Sequence, residues 1–339
     1  MLPETLSWDA DSKKLICLDQ RKLPLEITYF TCNGYLDVAE AIEKMVVRGA
    51  PAIGAAAAYG VALAACENIT DYSAVISRLE KTRPTAVNLF WALERVRDII
   101  ARNKDNIAEI PSLIEAEAIA IHKEDIEVNK KLSAYGEALL PETAAVITHC
   151  NAGAWATCGY GTALGVFRAA RENGKDIKIY ADETRPRLQG GKITAFEMYK
   201  EGFDVTLITD SMASYLMSKR KIDAVITGAD RVAMNGDTAN KIGTYSLAVS
   251  AKYHNVPFYI AAPTSTFDIN CETGADIPIE ERSGDEMRIV NGVRVIPDDI
   301  NVWNPAFDVT PNSLIKGIIT EYGVLEFPYN GKLKELLSR

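Results

Sequence analysis

Cys150 closes the apolar run AAVIT (144–148) and stands between His149 and Asn151-Ala152-Gly153. A thiol at a strand end, facing helix N-termini, is expected to be more acidic than usual and to serve as nucleophile or base. The commoner fate of a cysteine is a buried free thiol, and Cys17, Cys32, Cys66 and Cys271 are read that way. Asp230 ends a second apolar run, AVITGAD (224–230). A carboxylate at the mouth of an apolar sheet edge suits general-acid service, whereas the plain alternative is a turn cap. Asn240 and Lys241 come ten and eleven residues later, at the expected start of a helix, where an amide, an ammonium and free backbone N–H groups converge on an anion.

Cations beside Gly or Pro complete the set. Arg48-Gly49-Ala50 precedes an Ala-rich stretch, Arg83 precedes Pro84, and Arg185-Pro186-Arg187 lies in a loop beyond a strand. Each alone is more often a solvated surface charge, but an arginine at a helix start is well placed to grip phosphate at two points. Gln189, beside Gly190-Gly191, is a candidate reader of sugar hydroxyls. Arg48 and Arg83 belong to the first half of the chain and Lys241 to the second, so they meet only in a cleft between the halves. Gly159, Gly161 and Gly165 imitate a dinucleotide fingerprint, yet Asn151 to Cys158 separate them from the strand they should adjoin. They are better read as freeing N–H groups for a phosphate. His122 and His254 read as structural.

These residues need elements to position them. Residues 14–30 alternate apolar and polar side chains, which predicts a small β-hairpin. From about 35 to 140 the periodicity is helical, and the last helix, starting at Pro111, is long enough to bridge to the second half of the chain. After residue 144, short β-rich runs alternate with helical segments, which predicts right-handed crossovers and a doubly wound parallel sheet. The expected fold class is α/β, with a helical part that carries a small β element over 1–140 and the doubly wound sheet over 141–339. Such sheets bind ligands beyond the carboxyl ends of their strands, where His149-Cys150, Asp182, Asp210, Asp230 and Pro263 fall.

The chain's 339 residues, 47% hydrophobic and 24% charged, make an ordinary globular protein of about two domains. With 37 basic against 46 acidic residues and no basic stripe, nucleic acid is not an expected partner. Six cysteines without a CxxC pair suggest neither a zinc knuckle nor a disulfide framework, and point to a reducing cytoplasm. The uncharged stretch 50–66 imitates a membrane span but is short and Ala-rich, so close helix packing in a core is expected instead.

Taken together, the motifs resemble those of methylthioribose-1-phosphate isomerases. They are VVRGAPAIGAAAAYG (46–60), TRPTAVNLFWAL (82–93), THCNAGAWATCGYGTALGV (148–166), DETRPRLQGGKITAFE (182–197) and TGADRVAMNGDTANKIGTY (227–245). VPFYIAAPTSTFD (256–268), IPIEERSGDE (277–286) and NPAFDVTP (304–311) extend the match nearly end to end. That family shares its fold with regulatory subunits of a translation-initiation exchange factor and with ribose-1,5-bisphosphate isomerases. The resemblance implies a helical N-terminal domain with a small β element, a Rossmann-like C-terminal domain, a homodimer and an aldose–ketose isomerisation of 5-methylthioribose 1-phosphate in methionine salvage, without metal or organic cofactor. It implies Cys150 as the reactive thiol, Asp230 as proton donor, and Arg48, Gly49, Ala50, Arg83, Gln189, Asn240 and Lys241 as substrate contacts. A nonenzymatic exchange-factor subunit and a nicotinamide oxidoreductase are the competing classes. Trp155 and Cys158 stand where the family pattern has smaller or aliphatic residues. Trp155 is therefore expected to narrow the pocket near the sugar's 5-substituent, which brings in 5-deoxyribose 1-phosphate as a further candidate.

Overall fold

The computed structural model describes residues 2–67, 69–83, 86–329 and 331–337. The chain opens with three antiparallel strands, β1 (Leu6–Asp9), β2 (Lys14–Leu18) and β3 (Tyr29–Cys32), in that order. The expected hairpin is thus a three-stranded sheet: β1 adds an edge, and of the second run only its end, from Tyr29, pairs.

Helices α1 (Tyr35–Glu43), α2 (Ala50–Cys66), α3 (Tyr72–Glu80) and α4 (Val87–Arg102) come next. The uncharged stretch 50–66 is α2, buried almost throughout in a core with Val38, Ile42, Leu79, Leu89 and Leu93. Its small side chains let neighbours approach on every side: a Cβ on Gly54 would stand 2.6 Å from the Asn88 carbonyl of α4. No helix among the described residues is long and apolar enough to cross a membrane.

The long helix is α5 (Ile110–Glu137). Its Ile114, Ala118 and Ile121 pack into the α2 core, while Leu132 packs under the main sheet. One helix thereby couples the two hydrophobic cores.

The main sheet takes β4 (Thr143–Thr148), β5 (Asp176–Asp182), β6 (Asp204–Ile208), β7 (Ala224–Thr227), β10 (Phe258–Ala261), β14 (Gly317–Thr320) and β15 (Gly323–Glu326). Between these lie α6 (Ala163–Glu172), α7 (Ala195–Lys200), α8 (Met212–Lys219) and α9 (Thr244–Tyr253). Small strands β8 (Arg231–Val232), β9 (Thr238–Lys241), β11 (Ile289–Val290), β12 (Val293–Arg294) and β13 (Phe307–Thr310) build its rim. The order is β15-β14-β10-β7-β4-β5-β6, all neighbours parallel except β15 on β14. Alternate residues point to opposite buried faces: Val146 and Ile226 to the α5–α6 side, Ile147 and Val225 to the α8–α9 side. From β4 the chain winds out through β5 and β6, then returns to β7 on the other flank. The switch between β4 and β7 opens a crevice at their carboxyl ends.

Candidate active site

That crevice is a cleft of ≈ 740 Å³, including its open mouth. The nine residues that the family resemblance implies for the site all line it: Arg48, Gly49, Ala50, Arg83, Cys150, Gln189, Asp230, Asn240 and Lys241. The first core supplies the start of α2 and Arg83. The sheet supplies the ends of β4 and β7, the 183–189 loop and β9.

At the end of β4 the chain turns sharply, and Cys150 adopts a left-handed backbone (φ 62°). Such a conformation is unfavourable for a residue with a side chain, and persists only where its surroundings fix it. Here Thr184 Oγ1 accepts from the Cys150 N–H at 2.8 Å, and the Thr194 hydroxyl donates to the Cys150 carbonyl at 2.5 Å. Burial pushes the Cys150 thiol up; Arg48 and Lys241 pull against that push, while Asp230 adds to it. The expected acidic thiol is therefore reversed: desolvation outweighs the two cations.

Of the three strand-end carboxylates, only Asp230 enters the cleft. Asp182 turns back to His149, its Oδ2 3.0 Å from Nδ1, and the ring's Nε2 lies 2.9 Å from the Ile242 carbonyl. Burial alone would push the imidazole down, but Asp182 and the Ile242 carbonyl reverse this and the net shift is upward. Asp210 accepts from the N–H groups of Thr184 and Arg185, fixing the loop that carries Gln189. His149, Asp182 and Asp210 bring ligand atoms within 4.8 Å of one another, close enough to hold a metal ion. These hydrogen bonds give all three a structural task.

Asn240 and Lys241 do not open a helix as expected. They end β9, which pairs with β13, and α9 begins three residues later, with Thr244 accepting from the Asn240 amide at 3.0 Å. Lys241 Nζ donates to the Ala306 carbonyl at 2.8 Å. Burial and Arg282 lower its pKa to about 8, with Asp230 and Cys150 resisting. Arg48 and Arg83 are also pushed down by burial. Gln189 is buried, and its Oε1 has no hydrogen-bond partner among the described residues. That orphaned acceptor fits a hydroxyl donor.

Gly49 is a glycine that the cleft requires. Its φ is 96°, and a Cβ there would lie 2.3 Å from the Ala156 carbonyl. This close approach seats the first turn of α2 against the loop after Cys150. Gly159, Gly161 and Gly165 do not line the cleft: Gly161 bridges to Gly153, and Gly165 lets α6 approach Ser133 of α5.

Two arginines complete the positive lining. Arg187 contacts Glu286 at 2.6 Å, and Arg282 engages Glu280 through Nε at 2.9 Å and Nη2 at 3.2 Å. Arg282 was not expected, because an arginine behind Glu280-Glu281 reads as a neutralised surface charge. Trp155 is absent from the cleft lining. It is fully buried with Leu18, Leu23 and Ile193, and its indole N–H donates to the Pro3 carbonyl at 2.9 Å. The expected narrowing of the pocket is thereby corrected. Cys17, Cys32, Cys158 and Cys271 are buried free thiols, whereas Cys66, at the end of α2, is exposed. His122 contacts Tyr59 and His254 caps α9, both structural.

Beside the cleft opens a chamber of ≈ 460 Å³, including its open mouth, sharing Gly49, Ala50, Arg83, Asp230 and Phe307 with it. Its far wall is formed by Ile53, Ala86, Ala239, Ile277, Pro278 and Ile279, together with Arg231, which is paired with Asp268 at 3.0 Å.

The model of the Initiation factor 2 subunit family matches residues 46–327, and the chain belongs to that family. Within it, the chain belongs with the methylthioribose-1-phosphate isomerases. It is 54% identical over 343 residues to that of Petrotoga mobilis and 55% over 342 residues to that of Thermosipho africanus, with 98% of each chain covered. The structure of 5-methylthioribose 1-phosphate isomerase from Pyrococcus horikoshii OT3 matches with TM-score 0.92 and 44% identity, covering 99% of this chain and 96% of that one. A structure described as translation initiation factor eIF-2B, subunit delta, from A. fulgidus matches with TM-score 0.88 and 42% identity over the whole of both chains.

Proposed function

We propose that the chain is an aldose–ketose isomerase converting 5-methylthioribose 1-phosphate to 5-methylthioribulose 1-phosphate in methionine salvage. The reading rests above all on the meeting, in one cleft, of a thiol, a single carboxylate and an excess of cations. The cations suit a phosphate, the Gln189 acceptor suits a sugar hydroxyl, and the isoleucine wall of the adjoining chamber, Ile53, Ile277 and Ile279, suits a methylthio group.

Phosphate on the anomeric oxygen leaves no free aldehyde, so the ring must be opened by acid. Asp230 gives its proton to the ring oxygen as the bond from C1 to that oxygen breaks. A hydrogen must then leave C2 and arrive at C1, while the C2 hydroxyl becomes the ketone and its proton returns to Asp230. Cys150 serves that transfer, either by carrying a proton from C2 to C1 or by polarising the site for a direct hydride shift. Burial that keeps its thiol protonated favours the shift. Arg48, Arg83 and Lys241 hold the phosphate, with the Gly49-Ala50 turn and Asn240 beside them.

The test is turnover of 5-methylthio-, 5-deoxy- and 5-phosphoribose 1-phosphates, ranked by kcat/KM. The methylthio sugar should lead. Failure of all three would sink the enzyme reading, and preference for the bisphosphate would sink the substrate.

Three further readings accompany this one. The sheet order and its switch point support a Rossmann-like, doubly wound unit over 141–339, with 1–140 as a helical partner domain. Met212 and Tyr215 on α8, with Tyr245, Val249 and Tyr253 on α9, stay exposed on neighbouring helices, which supports a homodimer testable by solution mass. Free thiols in all six cysteines suit a reducing cytoplasm.

A further inference from the structure

The cations of the cleft differ in their partners. Arg282 is clasped by Glu280, Arg187 reaches Glu286, and Arg83 lies 3.9 Å from Glu280. Arg48 has no carboxylate partner among the described residues. Its Nε donates to Gln20 Oε1 at 3.1 Å, and its Nη2 donates to the Asn151 carbonyl at 3.3 Å and to Asn151 Oδ1. A desolvated guanidinium is ordinarily paired with an anion, since an unpaired buried charge is costly. Here two neutral amides take the anion's place.

Both amides are held in one orientation. Gln20 is 5% exposed, and its Nε2 donates to the Trp155 carbonyl at 2.7 Å, which leaves Oε1 facing Arg48. Asn151 donates through Nδ2 to Glu197 Oε2 at 2.9 Å and to Thr194 Oγ1 at 3.1 Å, which turns its Oδ1 to Arg48. Glu197 is thus kept one amide away from Arg48, and its own charge is met by Arg168 at 2.6 Å.

We propose that Gln20 is a positioning residue that holds Arg48 at the cleft through a neutral contact, leaving the whole positive charge of Arg48 for the substrate's phosphate. The proposal rests on the reading of the cleft as a sugar-phosphate site. Glutamate at position 20 would fill the same space and bind Arg48 more tightly, but would neutralise it. Methionine would fill the space and let the guanidinium swing free.

The experiment measures KM, kcat, inhibition by inorganic phosphate and Tm for Gln20→Glu, Gln20→Met and Arg48→Ala, and for Gln20→Glu combined with Arg48→Ala. Gln20→Glu should raise KM and the phosphate inhibition constant about tenfold or more, the scale of one lost charge-assisted bond. Gln20→Met should raise both by less, with kcat nearly kept. In the Arg48→Ala background, Gln20→Glu should add nothing. A glutamate effect no larger than methionine's, or one that persists without Arg48, overturns the proposal. So does parental KM and phosphate inhibition in Gln20→Met, or loss of Tm and kcat with phosphate inhibition untouched. If Arg48→Ala itself leaves phosphate inhibition unchanged, the phosphate reading of the cleft falls and this proposal with it.

Discussion

The ammonium of Lys241 stands 4.0 Å from the centroid of the Phe307 ring, and its hydrogen bond goes to the neighbouring Ala306 carbonyl. An aromatic face and a carbonyl stabilise a cation without neutralising it. Lys241 therefore resembles Arg48 in keeping its charge for a ligand.

The lowered pKa of Lys241, about 8 against 10.5 for a free lysine, has two consequences of definite sign. Only the ammonium binds phosphate well, so kcat/KM should fall as pH rises through about 8. Lys241→Arg should retain activity without that limb. The folded state also resists the charge, so below the folded pKa the buried ammonium costs stability. That cost fades as pH rises toward 10.5, where the unfolded chain also loses its proton. At pH 7 it amounts to about 3 kcal/mol. Lys241→Met should then raise Tm at pH 7 while abolishing stabilisation by added phosphate. A parental kcat/KM profile flat beyond pH 9, or a lower Tm in Lys241→Met, would contradict the assignment.

Cys150 is the side chain on which hydrogen transfer should depend. Cys150→Ser should keep the fold and substrate binding but lose at least about 10²-fold in kcat. Cys158→Ala is the control, since that thiol is buried beside Asp125 and outside the cleft lining. With substrate deuterated at C2, retention of the label at C1 identifies the hydride shift. Washing out of the label into solvent identifies the proton shuttle instead.

Much of this site was legible because local chemistry marks it. An arginine or lysine beside Gly, Pro or Asn at an element boundary has few structural reasons to be there, and Arg48, Arg83 and Lys241 all reached the cleft. The apolar runs that became β4, β7 and β10 are buried on both faces, so their composition alone announced them. The features that escaped depend on partners distant in sequence. The polar segment Thr238–Lys241 is a strand because it pairs with Phe307–Thr310 on one side and with Arg231–Val232 on the other. Gln20 carries no local signal, since its meaning comes from Trp155 and Arg48. The direction of the Trp155 ring was equally hidden: an aromatic near a cleft thiol faces the pocket or the core according to what packs behind it.

Trp155 accordingly should affect stability and not specificity. Its ring fills a small core with Leu18, Leu23 and Ile193 and anchors the Pro3 carbonyl. Trp155→Ala should cost about 3–5 kcal/mol, read as a lower midpoint in chemical denaturation. The milder Trp155→Phe should leave the kcat/KM ranking of 5-methylthio over 5-deoxy sugar as in the parent. A reversed ranking in Trp155→Phe would restore the indole to the substrate pocket.

The 5-substituent should instead be read by the isoleucine wall of the chamber beside the cleft. Ile53, Ile277 and Ile279 face that space together with Phe307, and the charged residues on its lining are Arg83, Asp230 and Arg231, the last paired with Asp268. A methylthio group removed from water there gains contact along its whole length, whereas a 5-deoxy sugar, with only a methyl, leaves the far wall untouched. Ile277 is 7% exposed and lies between the chamber and a small core with Ala233, Ala239 and Cys271, so a larger side chain at that position crowds the chamber wall. Ile277→Phe should lower kcat/KM for the methylthio sugar about tenfold relative to the 5-deoxy sugar, the scale of a misfit in a hydrophobic pocket. The phosphate inhibition constant should change far less, because Arg48 and Lys241 lie outside the chamber and, of the three phosphate cations, only Arg83 borders it. If both sugars lose kcat/KM equally while phosphate inhibition holds, the chamber is not where the methylthio group resides.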